Sequence, residues 1–208
     1  RCRAPRLSTL LRGCDRPIFK CNVCSFSRPH ARNEAFTVVS LPVWTEEGPL
    51  RTMQDAVDHH FGWETVEYHI DCSPTCPGRF QNCQRRHRLV QKPAVLCLML
   101  KRWIGDEGVV AGHNVHMSRQ IKIDEQTYSL WSVVMQRGTA HSGHYWALCC
   151  HTVNLETTWW VYNDAAELRE ATEHDLDTPA DKDAAAHAYI AFYAVSYTHL
   201  TLPTNREV

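Results

Sequence analysis

The chain has 208 residues, of which 44% are hydrophobic and 22% charged, and its formal net charge at pH 7 is −1. A chain of this length and composition can bury a hydrophobic core, as a soluble globular protein does. The near-neutral charge does not favour nucleic acid as a partner, and no run of about 18 apolar residues predicts a membrane span. We therefore expect neither nucleic acid nor a membrane as a partner.

The start of the chain and its cysteines indicate whether the chain is a fragment and in which compartment it occurs. Residues 1–20 lack the apolar core of a secretory signal, and the first residue is Arg1, so we expect a fragment of a longer protein. The 10 cysteines lie in a chain that is too long and too well patterned with apolar strands to need a disulfide framework. A reducing compartment, the cytosol or the nucleus, is expected.

Two pairs of cysteines lie in the first half of the chain. They are Cys21-x2-Cys24 and, about 47 residues later, Cys72-x3-Cys76. This spacing resembles two knuckles that close on one tetrahedral ion, and zinc accepts four thiolates at about 2.3 Å. The pattern predicts a zinc site with four thiolate ligands.

The fourth zinc ligand has alternatives close to Cys76 in the sequence, namely Cys83, His69 and His87. A different interpretation is that the cysteines are unpaired thiols. Cys97, in a predicted buried strand, is expected to be of that kind, because cysteine can pack as a small hydrophobic side chain.

An amphipathic helix is predicted between the two cysteine pairs. Pro49 suits a first helical position, and the pattern ends before Gly62. Apolar residues recur at helical spacing at Leu50, Met53, Ala56, Val57 and Phe61. This stripe is expected to pack in the core.

The second half of the chain predicts an antiparallel meander. Residues 128–135 are rich in aromatic and β-branched residues and predict a strand, and residues 144–151 and 159–162 predict two more. A strand is also expected at 120–123, after a polar loop over 105–119. A second loop, residues 137–142, leads to His144.

His144 starts one strand of this meander, and Asn163 follows the end of the next. Adjacent strands lie about 5 Å apart, so the two side chains could touch. Histidine accepts a proton near neutral pH when a neighbour fixes its tautomer and direction. The alternative is a loop histidine and an ordinary turn at Asn163 and Asp164, since both residue types favour turns.

Several motifs, in this order, resemble the C-terminal part of the ubiquitin-specific proteases. They are Pro93-Ala-Val-Leu-Cys-Leu-Met-Leu-Lys-Arg-Trp103, Tyr128-x-Leu-x-Ser-Val-Val, Gly143-His144-Tyr145, Trp160-x-Tyr162-Asn163-Asp164 and Ala188-Tyr-Ile-Ala-Phe-Tyr193. The similarity runs from about Cys21 to Val195. It implies an α+β, papain-like ubiquitin-specific protease fold with a mainly antiparallel β palm and fingers, and with the N-terminal helical thumb missing.

The resemblance also implies a domain layout. Residues 1–195 are expected to form a partial catalytic domain, with the fingers at about 15–92 and the palm at about 93–195. In this family the paired cysteines hold zinc at the tip of the fingers, so the resemblance implies a structural zinc site with no open coordination position. The two polar loops border the substrate channel in this family. Residues 196–208 resemble translated sequencing adapter and are expected to be a non-native tail.

The function implied by the resemblance is that of a deubiquitinating cysteine-type peptidase. Such a hydrolase cleaves the bond after the C-terminal glycine of ubiquitin and acts on ubiquitin or ubiquitinated proteins. His144 matches the catalytic base and Asn163 the residue that orients it, with Asp164 in support. In the family the nucleophile lies in an N-terminal helix, and neither Cys2 nor Cys14 has its surrounding pattern, so this fragment alone is expected to be inactive.

Two alternatives belong to other functional classes. The chain could be a catalytically inactive module that binds ubiquitin without cleaving it, because the nucleophile is missing from the matched motifs. It could also be a zinc-supported structural protein in which Gly143-His144-Tyr145 is a coincidence.

Overall fold

The computed structural model describes residues 7–24, 26–80, 82–104, 109–110, 113–138, 143–153, 156–164, 168–171 and 187–195. Cys2, part of the predicted loop over 105–119, residues 139–142 of the second loop and the tail at 196–208 lie outside these ranges. In the described part, neither α-helix is long and apolar enough to cross a membrane.

The elements are numbered here in chain order. They are α1 (Leu7–Leu11), β1 (Gly13–Lys20), β2 (Ser27–Pro29), β3 (Glu34–Phe36), β4 (Val39–Pro42), β5 (Trp44–Thr45), β6 (Gly48–Pro49), α2 (Met53–Phe61), β7 (Glu64–His69), a 3₁₀ turn (Pro77–Phe80), β8 (Asn82–Gln91), β9 (Val95–Lys101), β10 (Trp103–Ile104), β11 (Val109–Val110), β12 (Gln120–Ile123), β13 (Gln126–Gly138), β14 (Gly143–Val153), β15 (Glu156–Tyr162), β16 (Arg169–Glu170) and β17 (Ala188–Val195).

The smaller of the two main sheets, which we call the finger sheet, is antiparallel. Its strands run in the order β2-β1-β8-β7, and β3 pairs with the other half of β1. Between β3 and β7 the chain leaves this sheet to form β4 and α2. The far end of the finger sheet carries both cysteine pairs, since Cys21 directly follows β1 and Cys72 lies shortly after β7.

The larger sheet, which we call the palm sheet, has the order β16-β15-β14-β13-β17-β9-β4, with β12 added on β13. Its pairings are antiparallel except that of β4 with β9, which is parallel. The strand β17 lies between β13 and β9. The three strands predicted at 128–135, 144–151 and 159–162 are present as β13, β14 and β15, and their antiparallel order is confirmed.

Helix α2 begins later than predicted. Thr52 is its N-cap, and the Thr52 side chain and the Asp55 side chain form a capping box at 3.0 and 2.9 Å. Pro49 instead belongs to β6, which forms a two-stranded hairpin with β5. The placement of the helix start at Pro49 was wrong because a threonine followed by an acidic residue at N3 satisfies the free amide groups of the first turn better than a proline does.

The core lies between one face of the palm sheet and α2. The helix contributes Met53, Ala56 and Val57, all almost fully buried, as the apolar stripe predicted. The side-chain amide of Gln54 joins α2 to β12 by accepting from the backbone N–H of Lys122 at 2.8 Å and donating to its carbonyl at 3.0 Å. These contacts hold the helix against the sheet that carries His144.

Candidate active site and metal centre

His144 lies at the end of the palm sheet, near the last residue of β13 and the first of β14. It is the second residue of β14 and pairs with Arg137 of β13. On the other side of β14, Tyr162 pairs with Ala147 and is the last residue of β15. The chain then continues with Asn163 and Asp164, so the sheet brings both residues to the edge occupied by His144.

The imidazole of His144 is hydrogen-bonded to the side chain of Asn163. The distance from Nε2 of His144 to Oδ1 of Asn163 is 2.5 Å. An amide oxygen only accepts hydrogen bonds, so Nε2 carries the proton. In the neutral ring, Nδ1 then has a free lone pair and can accept a proton from another group.

Asp164 approaches the opposite nitrogen of the same ring. Its Oδ2 atom lies 3.4 Å from Nδ1 of His144, and both side chains are at least half exposed. Asp164 is held in the left-handed region at φ 44°, a conformation that aspartate tolerates better than most residues. Its carboxylate is close enough to stabilise the imidazolium that forms when Nδ1 takes up a proton.

An open pocket adjoins this group. It has a volume of about 380 Å³ and is lined by Tyr145, Val161, Tyr162, Asn163, Asp164 and Leu168. Tyr145 and Tyr162 are both substantially exposed beside it. Asn163 and Asp164, the two partners of His144, therefore line an accessible concave surface.

Trp146 also contacts His144, and the sequence patterns did not single it out. The ring centroids are 5.9 Å apart and the ring planes differ by 19°, which is a stacked arrangement. The sequence does contain a signal for this contact, since Trp146 is two residues after His144 and alternate residues of a strand share one face.

None of the described cysteines lies near His144. Cys149 and Cys150 are five and six residues further along β14, which corresponds to about 17 and 20 Å. Cys97 lies level with Cys149 across the sheet, because Cys97 pairs with Phe192, Phe192 with Ser132, and Ser132 with Cys149. It is therefore as far along the strands from His144 as Cys149 is. The other described cysteines belong to the finger sheet or its tip.

The two cysteine pairs form one cluster at the tip of the finger sheet. The four Sγ atoms of Cys21, Cys24, Cys72 and Cys76 lie within 4.8 Å of one another. The Sγ atom of Cys21 is 3.9 Å from that of Cys76 and 3.8 Å from that of Cys72. A regular tetrahedron with zinc–sulfur bonds of 2.3 Å has edges of about 3.8 Å, so these distances fit one zinc ion.

The surroundings of the cluster act in opposite directions on the thiols of Cys21 and Cys72. The N–H groups of Cys24 and Val23 lower the pKa of Cys21 to about 6, while burial raises the pKa of Cys72 to about 12. A Cβ at Gly78 would lie 2.7 Å from Sγ of Cys21, so only glycine lets the backbone pass this close. Without a cation, four thiolates in this space would repel one another.

The structure separates Cys76 from the alternatives for the fourth ligand. Cys83 is fully buried under the cluster, packed with Ile70, and does not join the group of four. His69 is exposed on β7. His87 is engaged elsewhere, since its Nδ1 lies 2.7 Å from Oδ2 of Asp15.

Comparison with known proteins identifies the family. A family model described as ubiquitin carboxyl-terminal hydrolase matches residues 6–193. The chain belongs to this family. A curated relative, ubiquitin carboxyl-terminal hydrolase 21 of Rattus norvegicus, is 24% identical over an alignment of 193 residues that covers 84% of this chain and 31% of the relative.

Solved structures confirm the fold. The SAGA DUB module Ubp8/Sgf11/Sus1/Sgf73 bound to monoubiquitin matches with a TM-score of 0.69 at 17% identity, over 90% of this chain and 41% of that chain. The module bound to ubiquitin aldehyde gives 0.69 at 18% identity, over 90% and 42%. A yeast SAGA DUBm structure gives 0.66 at 18% identity, over 90% and 41%. The chain thus has the predicted ubiquitin-specific protease fold and spans less than half the length of these relatives.

Proposed function

We propose that this chain supplies the general base and its orienting residue to a cysteine-type deubiquitinase that hydrolyses the bond after the C-terminal glycine of ubiquitin. The observation that carries the proposal is the hydrogen bond from Nε2 of His144 to Oδ1 of Asn163, in a chain of the ubiquitin carboxyl-terminal hydrolase family. Acyl transfer by a thiol requires such an oriented base beside the nucleophile.

The roles of the side chains follow from the two ring nitrogens. Asn163 holds Nε2–H, so Nδ1 takes the proton of the attacking thiol as the sulfur bonds to the scissile carbonyl carbon. Asp164, 3.4 Å from Nδ1, stabilises the resulting imidazolium. The imidazolium then gives this proton to the leaving amine as the carbon–nitrogen bond breaks, and water later releases the acyl group with His144 again as base.

In this proposal the nucleophile comes from outside the described residues. The face of the palm sheet opposite the core carries an open apolar groove of about 590 Å³, lined in part by Leu11, Trp131, Tyr162 and Phe192. An antiparallel sheet that is apolar on both faces needs a cover on each. We assign this cover to the helical thumb of the family; His144 and Trp146 project from the other face of β14, so the groove bears on the thumb and not on the position of the nucleophile.

We further propose that the cluster of Cys21, Cys24, Cys72 and Cys76 holds a structural zinc ion. The support is the fit of the sulfur–sulfur distances to a tetrahedral site. Zinc would replace the hydrophobic core that the tip of a thin sheet cannot build. The thiolates then fix the ends of β1 and β7 against the start of β8.

Ubiquitin, free or conjugated, is the proposed partner. The support is the family and the neighbours of known structure, one bound to monoubiquitin and one to ubiquitin aldehyde. We place the protein in the cytosol or the nucleus, a proposal supported by the free state of the described cysteines.

A second candidate is a catalytically inactive module that binds ubiquitin. It is favoured by the distance of every described cysteine from His144, since a family member without a nucleophile could keep the binding surface alone. The two candidates differ in one measurable property, the turnover of a ubiquitin C-terminal reporter.

The test uses the longest gene product that contains this chain, which we call the full-length protein. We expect it to cleave a fluorogenic ubiquitin C-terminal reporter. We expect His144→Ala to abolish cleavage and to leave ubiquitin binding largely intact, because a base acts on the reaction and adds little to binding.

His151→Ala is the matched control. His151 is an exposed histidine on the same strand, hydrogen-bonded to the hydroxyl of Tyr162 at 2.8 Å. We expect this variant to retain turnover. Turnover that survives His144→Ala would refute the catalytic role, and a wild-type full-length protein that binds ubiquitin without turnover would establish the inactive module.

A further inference from the structure

The ring of His144 is restrained at one nitrogen only. Asn163 accepts from Nε2, and Asp164 lies beyond ordinary hydrogen-bond length, at 3.4 Å from Nδ1. The χ2 torsion of histidine is broad, and Nε2 lies nearer to its rotation axis than Nδ1 does. A hydrogen bond at Nε2 therefore restrains this rotation weakly, and Nδ1, which must meet the nucleophile, is the atom that the rotation displaces most.

Trp146 supplies the missing restraint by its position. It is two residues after His144 on the same face of β14, and the two rings are stacked with a centroid distance of 5.9 Å and an interplanar angle of 19°. Rotation about χ2 would turn the imidazole plane against the indole. The stack thus opposes the motion that the hydrogen bond to Asn163 permits.

Trp146 is itself held on its other side. It pairs across the sheet with Met135, which is almost fully buried, and it packs against the main core. The ring of His187, directly before β17, meets the indole edge-on at a centroid distance of 5.6 Å. The indole therefore has support from β13, β14 and the start of β17, while His144 is half exposed.

We propose that Trp146 is a positioning residue that fixes the plane of the His144 imidazole and so aims Nδ1 at the incoming thiol. The inference rests on the proposed function for its catalytic consequence. Its structural part, the fixed ring plane, is independent of catalysis. An imidazolium stacked on an indole is also favoured electrostatically, which adds to the restraint once the proton has been transferred.

The structural part can be measured on the chain itself. With the histidines labelled, the ring protons of His144 should show cross-relaxation to the indole of Trp146 and signals shifted upfield by its ring current. In Trp146→Leu the His144 signals should move toward those of a freely rotating histidine, and in Trp146→Phe they should stay close to wild type. His144 ring signals that do not change in Trp146→Leu would overturn the proposal.

The catalytic part is measured in the full-length protein. We expect Trp146→Leu to lower kcat by about 10- to 100-fold with little change in KM, because a misdirected base slows chemistry and leaves substrate binding alone. Trp146→Phe, which keeps an aromatic plane, should restore most of kcat. Trp44→Leu is the control, since Trp44 meets His113 edge-on at 5.7 Å outside this site, and it should leave kcat unchanged.

The outcomes separate the two proposals. If His144→Ala retains turnover, the proposed function fails, and the ring signals alone decide the role of Trp146. If His144→Ala abolishes turnover while Trp146→Leu keeps the wild-type kcat, the positioning role is refuted and the proposed function stands. If Trp146→Leu and Trp146→Phe lose equal activity with equal loss of thermal stability, Trp146 acts only as a core residue and the proposal is overturned.

Discussion

The Oδ1 atom of Asn163 lies 2.5 Å from Nε2 of His144, although the two residues are 19 positions apart in the chain. The contact exists because β14 and β15 are adjacent antiparallel strands, so the start of one and the end of the other meet at the same edge of the sheet. This arrangement leaves Nδ1 of His144 on the side of Asp164, whose Oδ2 atom is 3.4 Å away. It also gives Asn163 and Asp164 different tasks, which mutations can separate.

Asn163→Ala should impair turnover more than Asp164→Ala does in the full-length protein. Asn163 fixes the tautomer of His144, whereas Asp164 is 74% exposed and acts through solvent-screened attraction to the imidazolium. We expect kcat to fall by about 100-fold or more for Asn163→Ala and by less than about tenfold for Asp164→Ala. Steady-state kinetics with the ubiquitin reporter measure both, and the opposite ranking would show that Asp164 is the main orienting residue.

Metal analysis of the chain should find about one equivalent of zinc, and a strong chelator should unfold the finger sheet. Cys76→Ser should reduce the zinc content and the thermal stability together, because it removes one of the four clustered thiols. Cys83→Ala is the matched control, since Cys83 is a buried neighbour outside the group of four, and it should keep the metal. A fully folded protein without metal would contradict the zinc site.

The stability of the chain should decrease as the pH falls below about 6.5. Burial, together with the charge of His87, lowers the pKa of His60 to about 4, from 6.5 for an exposed histidine. Between these two values the unfolded state binds the proton and the folded state does not, so acidification favours unfolding. With allowance for partial exposure of the ring, we expect a loss of about 1 to 2 kcal/mol between pH 7 and pH 5.

Urea unfolding of wild type and His60→Phe at both pH values tests this prediction. The phenyl ring keeps the stack, in which the imidazoles of His60 and His87 have centroids 5.6 Å apart, but it cannot take up a proton. The variant should lose less stability on acidification than wild type does, at equal zinc content. An identical decrease in both proteins would assign the effect to other groups.

The sequence predicted the strands of the palm sheet better than the start of helix α2. Runs rich in aromatic and β-branched residues placed β13, β14 and β15, and strand geometry then placed His144 beside Asn163. The helix start was wrong at Pro49 because proline suits both a first helical turn and an extended hairpin, and only the capping contact of Thr52 with Asp55 decides between them. The local sequence pattern at Pro49 fits both structures, and only the contacts of the folded chain distinguish them.

The cysteine cluster illustrates a second limit. Spacing brought Cys21, Cys24 and Cys72 together, but it left Cys76 and Cys83 as competing ligands. The backbone turn after Cys72 decides, since it directs Cys76 into the cluster and leaves Cys83 on β8 beneath it. The contact of Trp146 with His144 was not predicted, because an aromatic residue in a strand is usually part of the core.

The position of β17 has a consequence for folding during translation. Since β17 separates β13 from β9, the palm sheet consists of two unconnected halves until residues 188–195 have been synthesised. Until then the edges of β9 and β13 that pair with β17 are unpaired, and β9 is apolar up to Lys101. We expect the nascent chain to need chaperones until β17 has left the ribosome. Only then is the palm sheet that carries His144 and Asn163 continuous from β4 to β16.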